Sequence, residues 1–227
     1  MRKFRFPKDP LDLGRPMYDK GGITISPGIT VLVGCNGSGK TTLLRTLQDD
    51  LRAKNVPVMF FDTLNTARDI VSGAMFKNDI ELAASAMVSS EGERMCIGIG
   101  SFASDAKHFI STGRKRLSAL EAAFMDDEPE AVTSKERWIL VDSADSGLSI
   151  DVLLDVKNFF GMMVEYGQRI GVDLYVVVST NQYEFAADSK CIDVQAMKPV
   201  SIKTYSKYRS VIMKSRAKKD TRDGIAN

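Results

Sequence analysis

Apolar runs and helix-spaced stretches alternate along the chain. Ile23-Thr24-Ile25 and Ile29 to Val33 read as strands on either side of a Ser26-Pro27-Gly28 turn. Val56 to Asp62 and Leu174 to Thr180 are apolar almost throughout, as strands buried on both faces are. Arg137 to Asp142 is a further strand that ends in a carboxylate, and Cys191 to Ala196 is a weaker one. Between them the spacing predicts a helix from about Gly39 to Lys54. It also predicts helical structure over 63–89, with Asn78 or Asp79 as a cap, and a helix-like stretch from Ser89 through Phe109. Gly113 to Met125 reads as another helix, followed by the acidic loop Asp126 to Glu130. Ile150 to Gly167 is amphipathic, with Leu153, Val156, Phe160, Met163 and Val164 on one side. Residues 1–22 are broken by Pro7, Pro10, Gly14, Pro16 and Gly21-Gly22 into short strands and turns. Strands alternating with helices imply an α/β fold with a mostly parallel sheet and right-handed crossovers. There is no internal repeat, no low-complexity tract and no long heptad segment.

One join between strand and helix carries chemistry. Gly34-Cys35-Asn36-Gly37-Ser38-Gly39-Lys40-Thr41-Thr42 follows an apolar strand and opens a helix. Glycines there let backbone N–H groups turn inward around an anion, and the helix N-terminus adds partial positive charge. Lys40 is placed to reach the β- and γ-phosphates of a nucleoside triphosphate, and the Thr41 hydroxyl to meet Mg²⁺. Asp142, at the end of its strand, is the second Mg²⁺ residue that such a loop requires.

Composition narrows the setting. The chain has 227 residues, 44% hydrophobic and 26% charged, which suits one α/β domain with its own core. Cys35, Cys96 and Cys191 are far apart with no ligand spacing, as expected in a reducing compartment. No apolar run approaches the ~20 residues of a membrane span, so a cytoplasmic location is expected. The net charge is only +2, but Lys198 to Lys219 holds eight Lys or Arg residues and no acid. That run is either a phosphate-contacting face for nucleic acid or a solvated terminal helix. His108, the single histidine, has no ligand-like neighbour and predicts no metal site.

Pro27 through Leu44 resembles the first motif of ABC-type ATPases, and most closely that of soluble SMC/RecF-like and phage- or bacterium-type AAA-family members. Ile139-Leu140-Val141-Asp142-Ser143-Ala144-Asp145-Ser146-Gly147-Leu148-Ser149 resembles their second motif and D-loop. Val177 to Asn181 is similar to the strand that leads to their switch histidine. Ser90-Glu91-Gly92-Glu93-Arg94 resembles their Ser-Gly-Gly-Gln signature, which contacts the γ-phosphate held by a partner subunit. Ser111-Thr112-Gly113-Arg114 is a rival for that role. The resemblance spans most of residues 23–185. It implies a P-loop NTPase fold: an ABC-ATPase-like, mostly parallel sheet flanked by helices, an N-terminal antiparallel β portion and a small helical lid. It implies a single domain over 1–227, with a helical subdomain at about 63–135 and a basic tail at about 198–227. It also implies ATP and Mg²⁺ as ligands, with Asn36, Gly37, Ser38, Gly39, Lys40, Thr41 and Thr42, plus Ser90 and Gly92, at the nucleotide and Thr41 and Asp142 at the metal.

The departures shape the expected activity. Ser143 stands where the family has the glutamate that polarises the attacking water, and Asn181 stands at the switch histidine. No glutamine occurs between Gln48 and Gln168, so the usual glutamine of the intervening loop is missing too. Loss of a positioned base typically costs roughly 10²–10⁴-fold in rate. Asn181 can hydrogen-bond a phosphate but cannot carry a proton, and Asp145 is the nearest substitute. The expectation is therefore an ATP-gated, dimerising switch in DNA-related metabolism, with tight ATP·Mg²⁺ binding and slow or absent hydrolysis. Only 50 residues separate Lys40 from Ser90, too few for a coiled-coil arm. A transporter cassette and a P-loop kinase, with Arg114-Lys115-Arg116 as a lid, remain as alternatives. Tyr18 is placed either to stack on adenine or to pack.

Overall fold

The computed structural model describes residues 1–10, 14–62, 91–116, 132–145 and 148–225. Six strands form the main sheet in the order β4-β5-β6-β3-β7-β8. They are β3 (Gly28–Val33), β4 (Val58–Asp62), β5 (Glu136–Asp142), β6 (Asp173–Ser179), β7 (Lys190–Asp193) and β8 (Lys198–Val200). All neighbours are parallel except β7 and β8, which run antiparallel. A separate antiparallel ribbon joins β1 (Arg2–Arg5) to β2 (Gly22–Ile25). The helices are α1 (Lys40–Ala53), α2 (Glu91–Thr112), α3 (Ile150–Arg169), the single turn α4 (Tyr183–Ala186) and α5 (Tyr205–Asp223). This mostly parallel sheet between helices, with a small antiparallel annex, is the P-loop NTPase fold.

The strands are apolar at every position because both faces of the sheet are covered. Leu32, Leu140 and Val177 point toward α1 and the β1–β2 ribbon, where they meet Leu43, Leu44, Leu47, Leu51, Phe4 and Ile25. Their chain neighbours Val31, Val33, Ile139, Val141, Val176 and Val178 point the other way. They pack against Phe102, Phe109, Phe160 and Val211 of α2, α3 and α5. Trp138 is fully buried on the first face, with its ring stacked on Tyr175 at 4.1 Å and Phe4 edge-on at 5.2 Å. Its indole N–H donates to Glu136 Oε1 at 2.7 Å.

Several elements differ from the sequence reading. β2 and β3 are not a hairpin: β2 pairs with β1, while β3 lies between β6 and β7 at the centre of the other sheet. The Ser26-Pro27-Gly28 corner carries the chain from one sheet to the other, with Gly28 at φ +102°. The helix expected from Gly113 is absent over Gly113–Arg116. Gly113, at φ +77°, ends α2 in the left-handed conformation that closes helices. The rest of that expected helix, the acidic loop and the expected 63–89 helix lie outside the described residues, as does most of the 63–135 subdomain. The basic run, read as a nucleic-acid face or a solvated terminal helix, is not uniform. It contains β8 and then the 19-residue helix α5. Among the described residues no helix is long and apolar enough to cross a membrane.

Leu44 is fully buried between α1 and the sheet. Leu44→Ala is expected to cost about 2–5 kcal/mol of stability. Urea unfolding followed by the fluorescence of Trp138, the chain's single tryptophan, measures it directly.

Candidate functional site

The C-terminal edge of the parallel strands is where an α/β sheet of this kind receives ligands. Here β3 ends at Val33 and the loop Gly34–Gly39 leads into α1. β5 ends at Asp142, and β6 ends at Ser179 next to it. Register fixes these neighbours, with Leu32 opposite Ser179 and Val141 opposite Val178.

The loop is tightly folded on itself. A Cβ at Gly34 would lie 2.5 Å from Ser38 Oγ, and one at Gly39 (φ +96°) would collide with Met17 Sδ. α1 begins with no side-chain cap at Gly39 and no acid in its first turn, so its N-terminal N–H groups and dipole are left for an incoming anion. Ser38 is fully buried and its Oγ has no hydrogen-bond partner. Asn36, Gly37 and Thr41 are exposed, and Thr42 is half-buried.

Lys40 opens α1 and is buried. Its three ammonium donors go to Gly34 O at 2.7 Å, Cys35 O at 3.2 Å and Asn181 Oδ1 at 2.9 Å. Burial holds this ammonium below the ordinary lysine range, while Cys35 and the Asp145 and Asp142 carboxylates push the other way. A cation desolvated in this way, with neutral oxygens as its hydrogen-bond partners, is prepared for an anion.

The ends of β5 and β6 are stitched together. Ser179 Oγ donates to Asp142 Oδ1 and accepts the Ser143 N–H at 2.8 Å, while the Ala144 N–H reaches Ser179 O at 3.1 Å. Ser143 takes a left-handed φ of +56° at this corner. Asp145 Oδ2 accepts the backbone N–H of Asn181 at 2.8 Å, which places the Asn181 side chain on Lys40. Lys40, Asn181 and Asp145 therefore form one chain of contacts. The buried Asp142 carboxylate is positioned by Ser179 at the neighbouring strand end.

These residues fit a phosphate group with its cation. The orphaned Ser38 Oγ, the uncapped helix start and the buried ammonium suit the anion, and the Thr41 hydroxyl and the Asp142 carboxylate are hard oxygen ligands of the kind Mg²⁺ takes. Of the two signature candidates, Ser90 lies outside the described residues, and Gly92 falls in the first turn of α2. Ser111 is in the last turn of α2, with its hydroxyl on Lys107 O at 3.0 Å and on the Tyr166 hydroxyl at 2.8 Å. A helix C-terminus presents carbonyls rather than N–H groups, so the backbone of the Ser111 segment lacks the donors that a helix start gives a phosphate. Tyr18 is a packing residue: it is buried and donates to Gly39 O at 3.0 Å, beneath the loop, with no face left for a base. His108 is half-buried on α2, and no metal-ligating cluster occurs among the described residues.

Helix α5 is the part of the site that the sequence reading missed. Ser215 Oγ accepts the Cys35 N–H at 3.0 Å, and Arg222 Nη2 donates to Gly37 O at 3.2 Å. Lys218 pairs with Asp19, and Arg15 Nη1 donates to Arg222 O at 2.6 Å. A cavity of about 360 Å³ lies between the helix and the loop, bounded by Gly34, Cys35, Asn36 and Asn181 on one wall and by α5 on the other. The one signal in the sequence was the spacing of Tyr208, Val211 and Ser215, which are the buried residues of α5.

A family model described as an AAA domain matches residues 24–181. Among solved structures the chain is similar to a DNA replication initiation factor, at 14% identity and a TM-score of 0.35, over 87% of this chain and 44% of that one. The chain thus spans less than half the length of that factor. It is also similar to the ATP-binding cassette MJ0796, in a dimeric post-hydrolysis state bound to ADP and Pi, at 13% identity and a TM-score of 0.41, over 84% and 93% of the two chains. A third is cbiO1 from Clostridium perfringens, part of the ABC transporter complex cbiONQ, at 13% identity and a TM-score of 0.39, over 89% and 87%. No curated protein matches the chain.

Asp145 holds the loop after β6 in place. Asp145→Ala would leave the Asn181 N–H without its acceptor, an expected loss of about 1–3 kcal/mol. Asp145→Asn keeps an acceptor oxygen and is expected to cost less. Urea denaturation of the two variants side by side reads the difference.

Proposed function

The chain belongs to the AAA-domain family of P-loop ATPases, and from that premise we propose that it is an ATP-gated dimerising switch which binds ATP·Mg²⁺ tightly and hydrolyses it slowly or not at all. The observation that carries the proposal is the contact chain Lys40–Asn181–Asp145. Lys40 and the loop N–H groups from Gly37 to Thr41 would hold the phosphates. Thr41 and Asp142 would hold Mg²⁺, which supplies charge neutralisation at the β- and γ-oxygens. Asn181, beside Lys40, can donate its amide N–H to a phosphate oxygen but cannot accept a proton. One oxygen of Asp145 is committed to the Asn181 backbone, and Ser143 stands at the position where the related ATPases carry glutamate. The site is built to grip and poorly equipped to activate water.

A switch needs a reader. In this proposal the Ser90–Gly92 segment of a second copy meets the phosphate held at Lys40, so nucleotide closes a homodimer. Lys203, Lys207, Arg209 and Lys214 are exposed and supply a basic surface for nucleic-acid phosphates, which supports a role in DNA-related metabolism.

Titration calorimetry with ATP·Mg²⁺ is expected to show binding by the wild type and none by Lys40→Ala. Size-exclusion chromatography is expected to show a dimer only with nucleotide, and Ser90→Arg is expected to remain monomeric while still binding ATP. Ser143→Glu is expected to raise turnover by roughly 10–10²-fold, since a missing base is worth 10²–10⁴ and this corner is strained for glutamate. Vigorous turnover by the wild type alone would contradict the proposal.

A further inference from the structure

The first turns of helix α5 carry a group of rings that the phosphate loop does not use. Tyr183 of α4 stands 5.7 Å from Tyr205 and 5.9 Å from Tyr208 between ring centroids, and Tyr205 and Tyr208 are 6.4 Å apart. Tyr208 is buried and Tyr183 half-buried, whereas Tyr205 is 62% exposed. Tyr183 meets Tyr205 edge-on, at 89°, and its hydroxyl donates to Lys203 O at 3.3 Å, which ties α4 to the residues leading into α5. Thr204 caps the helix by accepting the Lys207 N–H at 3.2 Å. Tyr205 is thus a ring supported by two others, with most of its surface in water.

The surroundings of that ring are cationic. Arg209 and Met213 follow it at steps of four, so the three share one face of the helix, and Met213 is exposed as well. Lys203, Lys207, Arg209 and Lys214 are exposed and form no ion pair among the described residues, and no acid occurs from Lys198 to Lys219. A peptide strand is poorly served here. β8 is the outer strand of the sheet, but Pro199 removes a backbone donor from it and Lys198 adds charge. Duplex nucleic acid keeps its bases stacked inside and shows a protein only phosphates and groove edges, so it has nothing for a bare ring to stack on. A single strand has both parts, phosphates for the cations and free base faces for the aromatic ring.

We propose that Tyr205, with Lys203 before it and Arg209 one turn after it, is a stacking platform for single-stranded nucleic acid. The proposal rests on the basic nucleic-acid surface described above and names its substrate class, a strand with unpaired bases.

Fluorescence anisotropy of the full chain tests it with a labelled oligothymidylate, an abasic strand of the same length and a duplex of the same length. The wild type is expected to bind oligothymidylate about tenfold more tightly than either competitor. Tyr205→Ala is expected to lose about tenfold on oligothymidylate and to stay within about twofold of wild type on the abasic strand, while Tyr205→Phe keeps the preference. Should the alanine variant fold poorly, Tyr205→Leu keeps an apolar side chain against Tyr183 and Tyr208 and is expected to show the same selective loss. Lys203→Gln with Arg209→Gln is expected to weaken both strands and to flatten the slope of log affinity against log salt by about 1.4. An equal loss of Tyr205→Ala on the two strands, which a loosened helix would produce, overturns the proposal, and so does unchanged binding. A wild type that takes strand and duplex alike, with no effect of Tyr205→Ala, leaves the basic surface standing and sinks only the platform. A wild type that binds none of the three overturns the underlying nucleic-acid reading.

Discussion

A lysine ammonium buried at the edge of the sheet is the constraint around which the rest of the site is arranged. Taking such a charge out of water is costly unless good partners surround it. Lys40 has three hydrogen-bond acceptors, two loop carbonyls and one amide oxygen, all of them neutral. Each must be held in place for the arrangement to persist. Gly34 O and Cys35 O are held because the loop folds tightly over Ser38 and because Ser215 anchors the Cys35 N–H. Asn181 Oδ1 is held because Asp145 fixes its backbone. Two parts of the chain meet the ammonium directly, and Ser215 and Asp145 hold them there.

The sheet makes that convergence possible. Parallel strands place the ends of β3, β5 and β6 at one edge, and their register decides which residues face each other there. Ser179 then serves two strands at once, donating to the Asp142 carboxylate and accepting the Ser143 N–H. With Ser143 at positive φ, the chain leaves β5 at a sharp corner and brings Asp145 back toward β6. Ser143 is therefore fixed within a hydrogen-bonded turn between the two strand ends.

The phosphate loop, Asp142 at its strand end and the buried strands themselves were legible in the sequence because each follows from local rules. Glycines at a strand-to-helix turn and continuous apolar runs mean the same thing in most settings. The partners of β2 were not legible. A Pro-Gly corner between two apolar runs suits a hairpin and a change of sheet equally, and only long-range packing of Phe4, Ile25 and Trp138 decides between them. Tyr18 was ambiguous for the same reason, since its burial depends on Met17 and Gly39 closing over it. The placement of α5 was hidden by its charge. Charged residues crowd the sequence from Lys198 onward, and the residues buried beneath the helix, Tyr208, Val211 and Ser215, are only three positions among many polar ones.

That docking changes what the basic run does. A solvated helix would spread its cations into water, where surface pairs contribute little. Here Lys218 and Arg222 are directed onto Asp19 and Gly37, and the Arg15 side chain reaches back from the N-terminal segment to the Arg222 carbonyl. The loop is thus gripped from two sides: Met17 and Tyr18 sit under Gly39, and α5 packs on Gly37. Any anion that enters the loop meets a cradle whose two walls come from opposite ends of the chain. The two walls are also tied to each other, by the Lys218–Asp19 pair and by the Arg15 side chain on the Arg222 carbonyl. The backbone of the loop is thus braced by residues nearly two hundred positions away in the chain.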